Sequence, residues 1–298
     1  MKILCTGGAG FIGSHLVKRL LKEKHQVVVI DDCSAGMMKN LPLKHKNLVI
    51  FGGSILNEGA DFLYEGIDIV FHLAALTRPR ESFIKPMETK RINVEGTLKV
   101  LLNAYACGVK KFIFMSSAST YGYQKLYPFD ERYPLNPVSP YAISKQIGEQ
   151  CCKLYKGSSM KVNCIRPFNV YGKGQSPDGQ YAAAIPKFVE ALKKGKKPFI
   201  TGDGKQFRDF VHVEDVVDLM VKVSTSDLSG EVFNAGTGTH TTLNSLYETI
   251  RGIMKKNVEP KYVKEVKEPN TLAGMAKARK LLNWRLKNSL VEGLLKTI

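Results

Sequence analysis

Nowhere among the 298 residues is there an unbroken apolar run of the length, about eighteen residues, that a membrane-spanning helix requires. The opening run Met1 to Thr6 is too short for a signal peptide, so neither insertion nor export is expected. The six cysteines (Cys5, Cys33, Cys107, Cys151, Cys152 and Cys164) form no C-x-x-C pair and no metal-ligand spacing. A zinc ribbon and a disulfide framework are therefore not expected, no metal site is predicted, and a reducing, cytoplasmic setting fits. Acidic residues are few: 27 against 44 lysines and arginines give a formal net charge of +17. Such an excess attracts polyanions or steers an anionic substrate. The basic residues are nevertheless scattered, with short clusters such as Lys193-Lys194 and Lys196-Lys197 and no stripe interleaved with aromatics. Nucleic-acid binding is not expected as the main function; a lysine-rich solvated surface is. Internal repeats and low-complexity tracts are also lacking.

What is present is an alternation. Apolar runs at Lys2 to Thr6, Gln26 to Asp31, Leu48 to Phe51, Ile67 to Leu73 and Lys111 to Ser116 read as buried parallel strands. Between them His15 to Lys22 and Val94 to Ala106 carry helical spacing, and Pro140 opens a further helix. The pattern predicts an α/β fold with a doubly wound parallel sheet of the Rossmann type. After Lys161 to Ile165 the texture changes, with short strands and helices that read as a smaller α+β lobe. The division is expected at 1–166 and 167–298, with some later segments returning to the first lobe.

The first strand runs into Gly7-Gly8-Ala9-Gly10-Phe11-Ile12-Gly13, a G-x-x-G-x-x-G spacing followed by a helix. Residues without a Cβ permit a tight turn and close approach to a pyrophosphate, and the helix N-terminus offers free N–H groups. Strand two ends in Asp31-Asp32; a carboxylate there accepts from the adenosine ribose hydroxyls and repels a 2′-phosphate, so NAD is expected rather than NADP. Downstream, Tyr141 and Lys145 stand four apart on one face of the helix after Pro140. A phenol is a weak base at neutral pH, so a neighbouring ammonium is useful. The strand ending at Met115 is followed by Ser116-Ser117-Ala118-Ser119-Thr120-Tyr121-Gly122, and a serine at a strand C-terminus is placed to hydrogen-bond a substrate hydroxyl.

With these segments, His72-Leu73-Ala74-Ala75, Asn93 to Thr97, Arg166 to Gly172 and Gly202 to Phe210, the chain resembles the extended short-chain dehydrogenase/reductase superfamily over nearly its whole length. Within it the resemblance is to the nucleotide-sugar epimerase/dehydratase group, in particular its UDP-glucose 4-epimerases. The resemblance implies a catalytic set of Ser117, Tyr141 and Lys145. It implies NAD contacts from Gly7, Gly10, Phe11, Ile12, Gly13, Asp31 and Asp32, and from Ser54 and Ile55 after the third strand. Leu73, Ala74, Ala75, Asn93, Ser116 and Pro167 complete that set, with Tyr141 and Lys145 at the nicotinamide end. For the UDP-sugar it implies Asn169, Arg208 and Thr271, besides Ser117 and Tyr141. Arg208 suits a diphosphate because its guanidinium fork matches phosphate oxygens; a structural ion pair with Asp209 or Asp215 is the alternative. The implied reaction has Tyr141 take the proton of the sugar 4-hydroxyl as C4 gives its hydride to NAD, and hydride returns to the other face.

Ala118 and Ser119 stand where the group's 4,6-dehydratases carry an additional acid and base, which disfavours dehydration. UDP-glucuronate decarboxylation, uronate epimerisation and a non-catalytic NAD- or RNA-binding role share the scaffold and stay open. Ser54 replaces the usual adenine-pairing carboxylate, and Lys264 is the nearest basic candidate for a second phosphate contact. A homodimer through the helices Val94 to Ala106 and Tyr141 to Leu154 is the family expectation.

Overall fold

The computed structural model describes residues 1–177, 183–264 and 269–298. Six strands, β1 (Lys2–Thr6), β2 (Gln26–Asp31), β3 (Leu48–Gly52), β4 (Ile69–His72), β5 (Lys111–Met115) and β6 (Lys161–Pro167), form one sheet with a seventh, Val232–Ala235, beside β6. From that edge the order is seventh, β6, β5, β4, β1, β2, β3, and the pairings β3·β2, β2·β1, β1·β4, β4·β5 and β5·β6 are all parallel. Strand order reverses between β1 and β4, which opens the crevice where such sheets take ligands. The sequence makes this sheet by supplying runs buried on both faces, as in β2, where Val27 to Asp31 are all buried. At the β3 edge Val49 is 59% exposed.

The helices of this unit include α1 (Phe11–Lys22), the short α2 (Glu81–Ile84) and α3 (Pro86–Lys90), α4 (Gly96–Ala106), and then α5 (Pro140–Lys153) beyond β5. Helix α1 begins earlier than the spacing from His15 suggested, because the glycine turn itself ends in the helical first turn. Between α3 and α4, Arg91–Glu95 forms a π-helical segment, so the expected single helix over Val94 to Ala106 is wound differently at its start. Helix α5 starts at Ser139, whose hydroxyl accepts from Ala142 N at 3.1 Å, with Pro140 pre-set for the first turn.

The chain divides into two compact units, 1–122 with 134–166 and 217–233, and 123–133 with 167–216 and 234–298. The segment 123–133 lies within the block 1–166 expected for the first unit, yet it belongs to the second. Its Phe129 is fully buried in the second unit, donating its N–H to Leu272 O at 2.7 Å and accepting from Gly274 N at 2.8 Å. The second unit is built from short paired strands: Asn169–Tyr171 with Phe210–His212, Phe199–Thr201 with Lys261–Val263, and Phe207–Arg208 with Thr241–Thr242. Helices Ala184–Lys193 and Leu243–Ile253 close its core around Phe188, Ile200, Tyr247 and Leu294.

Candidate active site

The glycine turn lies at the crevice. Gly7 has φ of +70°, and a Cβ there would come within 2.6 Å of Ala74 N in the loop after β4. A Cβ on Gly13 would strike the Gly7 carbonyl. Helix α1 opens at Gly10 with no side-chain cap and no acidic residue in its first turn, so its leading N–H groups and positive dipole end meet the space over the turn. Phe11 and Ile12, both half-buried, follow directly. These features fit a pyrophosphate. Asp31, 8% exposed, accepts from Ala9 N and Cys33 N, one to each oxygen and both at 2.8 Å, which ties the end of β2 to the glycine turn. A carboxylate has about four acceptor positions, so capacity for ribose hydroxyls remains. Asp32 is exposed and accepts from Ser34 N.

Ser54 spends its hydroxyl on Leu56 N at 3.2 Å, shaping the turn after β3, while Ile55 is buried against Gly96. Leu73, Ala74 and Ala75 are half-buried in the loop after β4. Asn93, 1% exposed, braces that loop: its amide accepts from Leu76 N and donates to Leu76 O and to Ser144 Oγ. Both donors are thereby committed within the protein, to the loop after β4 and to α5. The π-helical winding around it is what turns this amide inward.

Beside it His72 is buried, with Nδ1 2.7 Å from Thr6 Oγ1 and Nε2 2.9 Å from Thr97 Oγ1. Thr97 donates its one hydroxyl proton to Asn93 O, so His72 must carry its proton on Nε2 and accept from Thr6 at Nδ1. Burial and the Lys145 charge push the His72 pKa down to about 3, which keeps it neutral. This network locks the ends of β1 and β4. The sequence reading passed over it, although His72 and Thr97 stood inside quoted motifs.

At the C-terminal end of β5, Ser117 caps the turn Ala118–Tyr121, accepting from Ser119 N at 3.1 Å and from Ser119 Oγ at 2.9 Å. The Tyr141 phenol is buried and hydrogen-bonded to Ser117; burial raises its pKa and the serine pulls it back. Lys145 lies one turn further along α5, with Nζ 5.9 Å from the Tyr141 ring centroid and 2.9 Å from Met115 O, to which it donates. Desolvation lowers the Lys145 pKa to about 7.

That depression has a testable sign. Below pH 7 the buried ammonium weakens folding in full; between about 7 and 10.5 the unfolded chain holds the extra proton, so stability rises with pH. Lys145→Met is therefore expected to raise the melting temperature of the ligand-free protein at pH 6, with the gain shrinking towards pH 10. A pH-independent shift in calorimetry would contradict this.

Ser116 does not point at the crevice. Its hydroxyl donates to Glu149 at 2.5 Å and its N–H to Ile165 O at 2.8 Å. Glu149, fully buried, also takes a two-pronged pair from Arg166, at 2.8 Å from Nε and 2.7 Å from Nη2. Arg166 in turn lies 4.7 Å over the Tyr121 ring. Glu149, one turn beyond Lys145 on the same helix face, is a residue the sequence motifs did not single out.

The residues expected to hold the UDP-sugar lie in the second unit. Asn169 Nδ2 donates to Thr271 Oγ1 at 3.2 Å and to Asp209 O at 3.1 Å, so two of the three are joined. Arg208 Nη1 donates to Phe207 O at 2.9 Å, with Asn270 Oδ1 at 3.4 Å. The two alternative partners of Arg208 are engaged elsewhere. Buried Asp209 collects Thr237 N, Thr237 Oγ1, Gly238 N and Ala273 N within 3.1 Å, and Asp215 accepts from Lys287 N and Asn288 Nδ2. Pro167 is half-buried at the end of β6, and Lys264 is exposed just past Lys261–Val263. Among the described residues no cluster of His, Cys, Asp and Glu is arranged to hold a metal, and no helix is long and apolar enough to cross a membrane.

Residues 3–236 match the NAD dependent epimerase/dehydratase family. The chain is 36% identical over 314 aligned residues to a UDP-glucose 4-epimerase of Mycolicibacterium smegmatis, covering 100% of this chain and 97% of that one. Among solved structures it superposes with TM-score 0.96 on a UDP-N-acetylglucosamine 4-epimerase from Methanobrevibacter ruminantium in complex with UDP-N-acetylmuramic acid, at 32% identity over 99% and 96% of the two chains. It superposes with TM-score 0.94 on a UDP-glucose 4-epimerase from Thermotoga maritima with UDP-glucose, at 36% identity over 100% and 97%.

Proposed function

This chain belongs to the NAD-dependent epimerase/dehydratase family, and on that premise we propose that it is a 4-epimerase of UDP-hexoses, interconverting UDP-glucose with UDP-galactose and UDP-N-acetylglucosamine with its galacto isomer. The observation that carries the reading is the hydrogen-bonded Ser117–Tyr141 pair with Lys145 one turn away, next to Ala118 and Ser119 where a dehydratase needs an acid and a base.

NAD, when bound, accepts a hydride from the sugar and returns it. The chain's own residues do the rest. Gly7, Gly10 and Gly13 with the α1 N-terminus would hold the pyrophosphate, and Asp31 the adenosine ribose. Tyr141 takes the 4-hydroxyl proton and gives it back; Ser117 orients that hydroxyl; Lys145 favours the phenolate electrostatically. Asn169 and Arg208 hold the UDP part, with Thr271 beside the sugar.

Thr271 is a small side chain tethered to Asn169, which leaves room for an N-acetyl group at C2. Purified protein supplied with NAD is expected to epimerise both UDP-glucose and UDP-N-acetylglucosamine, followed by NMR. Thr271→Tyr should suppress the acetylated sugar about tenfold or more relative to the other. Turnover of the unacetylated sugar alone by the unmodified protein would refute the pocket argument; conversion of UDP-glucuronate instead, by epimerisation or loss of carbon dioxide, would replace the proposed substrate.

The helices α2 to α5 leave Phe83, Ile84, Met87, Leu102, Ile143 and Ile147 exposed, with Ile84 and Met87 above 70%. A second copy of the chain covers this face, the large apolar surface being otherwise wet. Light scattering at micromolar concentration should give a dimer, and Met87→Glu with Ile147→Glu a monomer.

A further inference from the structure

Part of the charge excess collects in the second unit, on two connections that carry none of the residues proposed to hold NAD or the sugar, with Lys264 three positions beyond Lys261. Helices Ala184–Lys193 and Leu243–Ile253 pack together, Phe188 and Tyr247 meeting edge to face at 5.5 Å. Each helix then runs through a short connection into one of two parallel paired strands, Phe199–Thr201 and Lys261–Val263. The same helix-to-strand path taken twice in parallel brings both helix C-termini to one end of the unit. Lys261 N donates to Pro198 O at 2.8 Å, which fastens the two connections side by side.

One connection carries Lys193, Lys194, Lys196 and Lys197, and the other Lys255, Lys256 and Lys261, all exposed. The nearby carboxylates are committed: Glu190 pairs with Lys194 at 2.5 Å, and Glu248 and Glu259 both pair with Arg251. Lysine in a last helical turn complements the helix dipole, but that explains Lys193 and not the residues beyond the helix ends. In the midst of the ammonium groups stands Phe199, opposite Lys261 in the strand register and 63% exposed, while its neighbour Ile200 is buried.

From this arrangement we propose that the lysine edge around Phe199 docks the protein reversibly on an anionic phospholipid surface. Ammonium groups on flexible stems suit a diffuse layer of headgroup phosphates, and the projecting Phe199 ring suits the boundary with the acyl chains. Single-stranded nucleic acid draws on arginine as well as on stacking platforms, whereas this edge offers lysine alone beyond the helix ends, and of its two exposed rings, Phe199 and Tyr262, the second is already hydrogen-bonded to Asn244.

The test uses the full-length protein in co-sedimentation with vesicles of phosphatidylcholine alone, or of phosphatidylcholine with about two-fifths phosphatidylglycerol. Binding is expected to the anionic vesicles only, and is expected to fall off at about 0.5 M salt. A variant with Lys196→Glu, Lys197→Glu, Lys255→Glu and Lys256→Glu should bind at least about tenfold more weakly, while its UDP-sugar turnover in solution stays unchanged. A control of equal net charge, Lys18→Glu, Lys22→Glu, Lys24→Glu and Lys153→Glu, should keep the binding, and Phe199→Ser should weaken it at constant charge. No sedimentation with anionic vesicles, equal loss in the control, or tighter binding of an unstructured RNA through the same four lysines would each overturn the proposal.

Discussion

Tyr141→Phe is expected to lower the rate of 4-epimerisation about 10³-fold while leaving the melting temperature within a degree or two. The size follows from the site. The Tyr141 phenol combines a place against Ser117 with an ammonium one helical turn away. The ring itself stays packed, because phenylalanine fills the same volume, and the Ser117 hydroxyl keeps its bonds to Ser119. NAD and UDP-sugar affinity should therefore survive, and the loss should appear in kcat rather than in KM. Rates by NMR, with thermal unfolding of the same preparation, give both quantities. Residual activity above about a tenth of the original would mean that another group takes the proton.

Glu149→Leu is expected to destabilise the fold by about 3–5 kcal/mol, because it strands the Arg166 guanidinium in the interior. Arg166 is 3% exposed and Glu149 fully buried, so water cannot replace the lost carboxylate. Ser116 Oγ loses its acceptor in the same substitution. Pairing it with Arg166→Met should recover most of the loss, since a buried ion pair replaced whole by apolar groups is often neutral. If the double variant is no more stable than Glu149→Leu in denaturant titration, the cost lies in packing rather than in the orphaned charge.

The sheet was legible because its signal is local. Gln26 to Asp31 is a buried β-branched run, and the strand, glycine turn and helix around Gly7 to Gly13 announce their geometry in spacing. Tyr141 and Lys145 were legible for the same reason, sharing a helix face. What escaped depends on partners far away in sequence. Asn93 read as a residue lining the cofactor, yet its amide is committed to Leu76 and Ser144 by a π-helical turn that no spacing rule anticipates. Asp209 read as a possible partner for Arg208. It instead ties together Thr237, Gly238 and Ala273, a role visible only once the strand Phe207–Arg208 lies beside Thr241–Thr242. Ser116 and Ser117 are adjacent, and only the fold shows that the first faces the buried Glu149 and the second Tyr141.

The path of the chain bears on how such a protein is inherited. It changes unit after Gly122, Tyr133, Arg166, Val216 and Phe233. A gene fragment ending at Arg166 would encode neither the strand Val232–Ala235 that completes the sheet nor a partner for Phe129. The two units cannot be traded as separate cassettes between genes. A change of preference of the kind proposed for Thr271 would then come by substitution in place rather than by exchange of a whole unit.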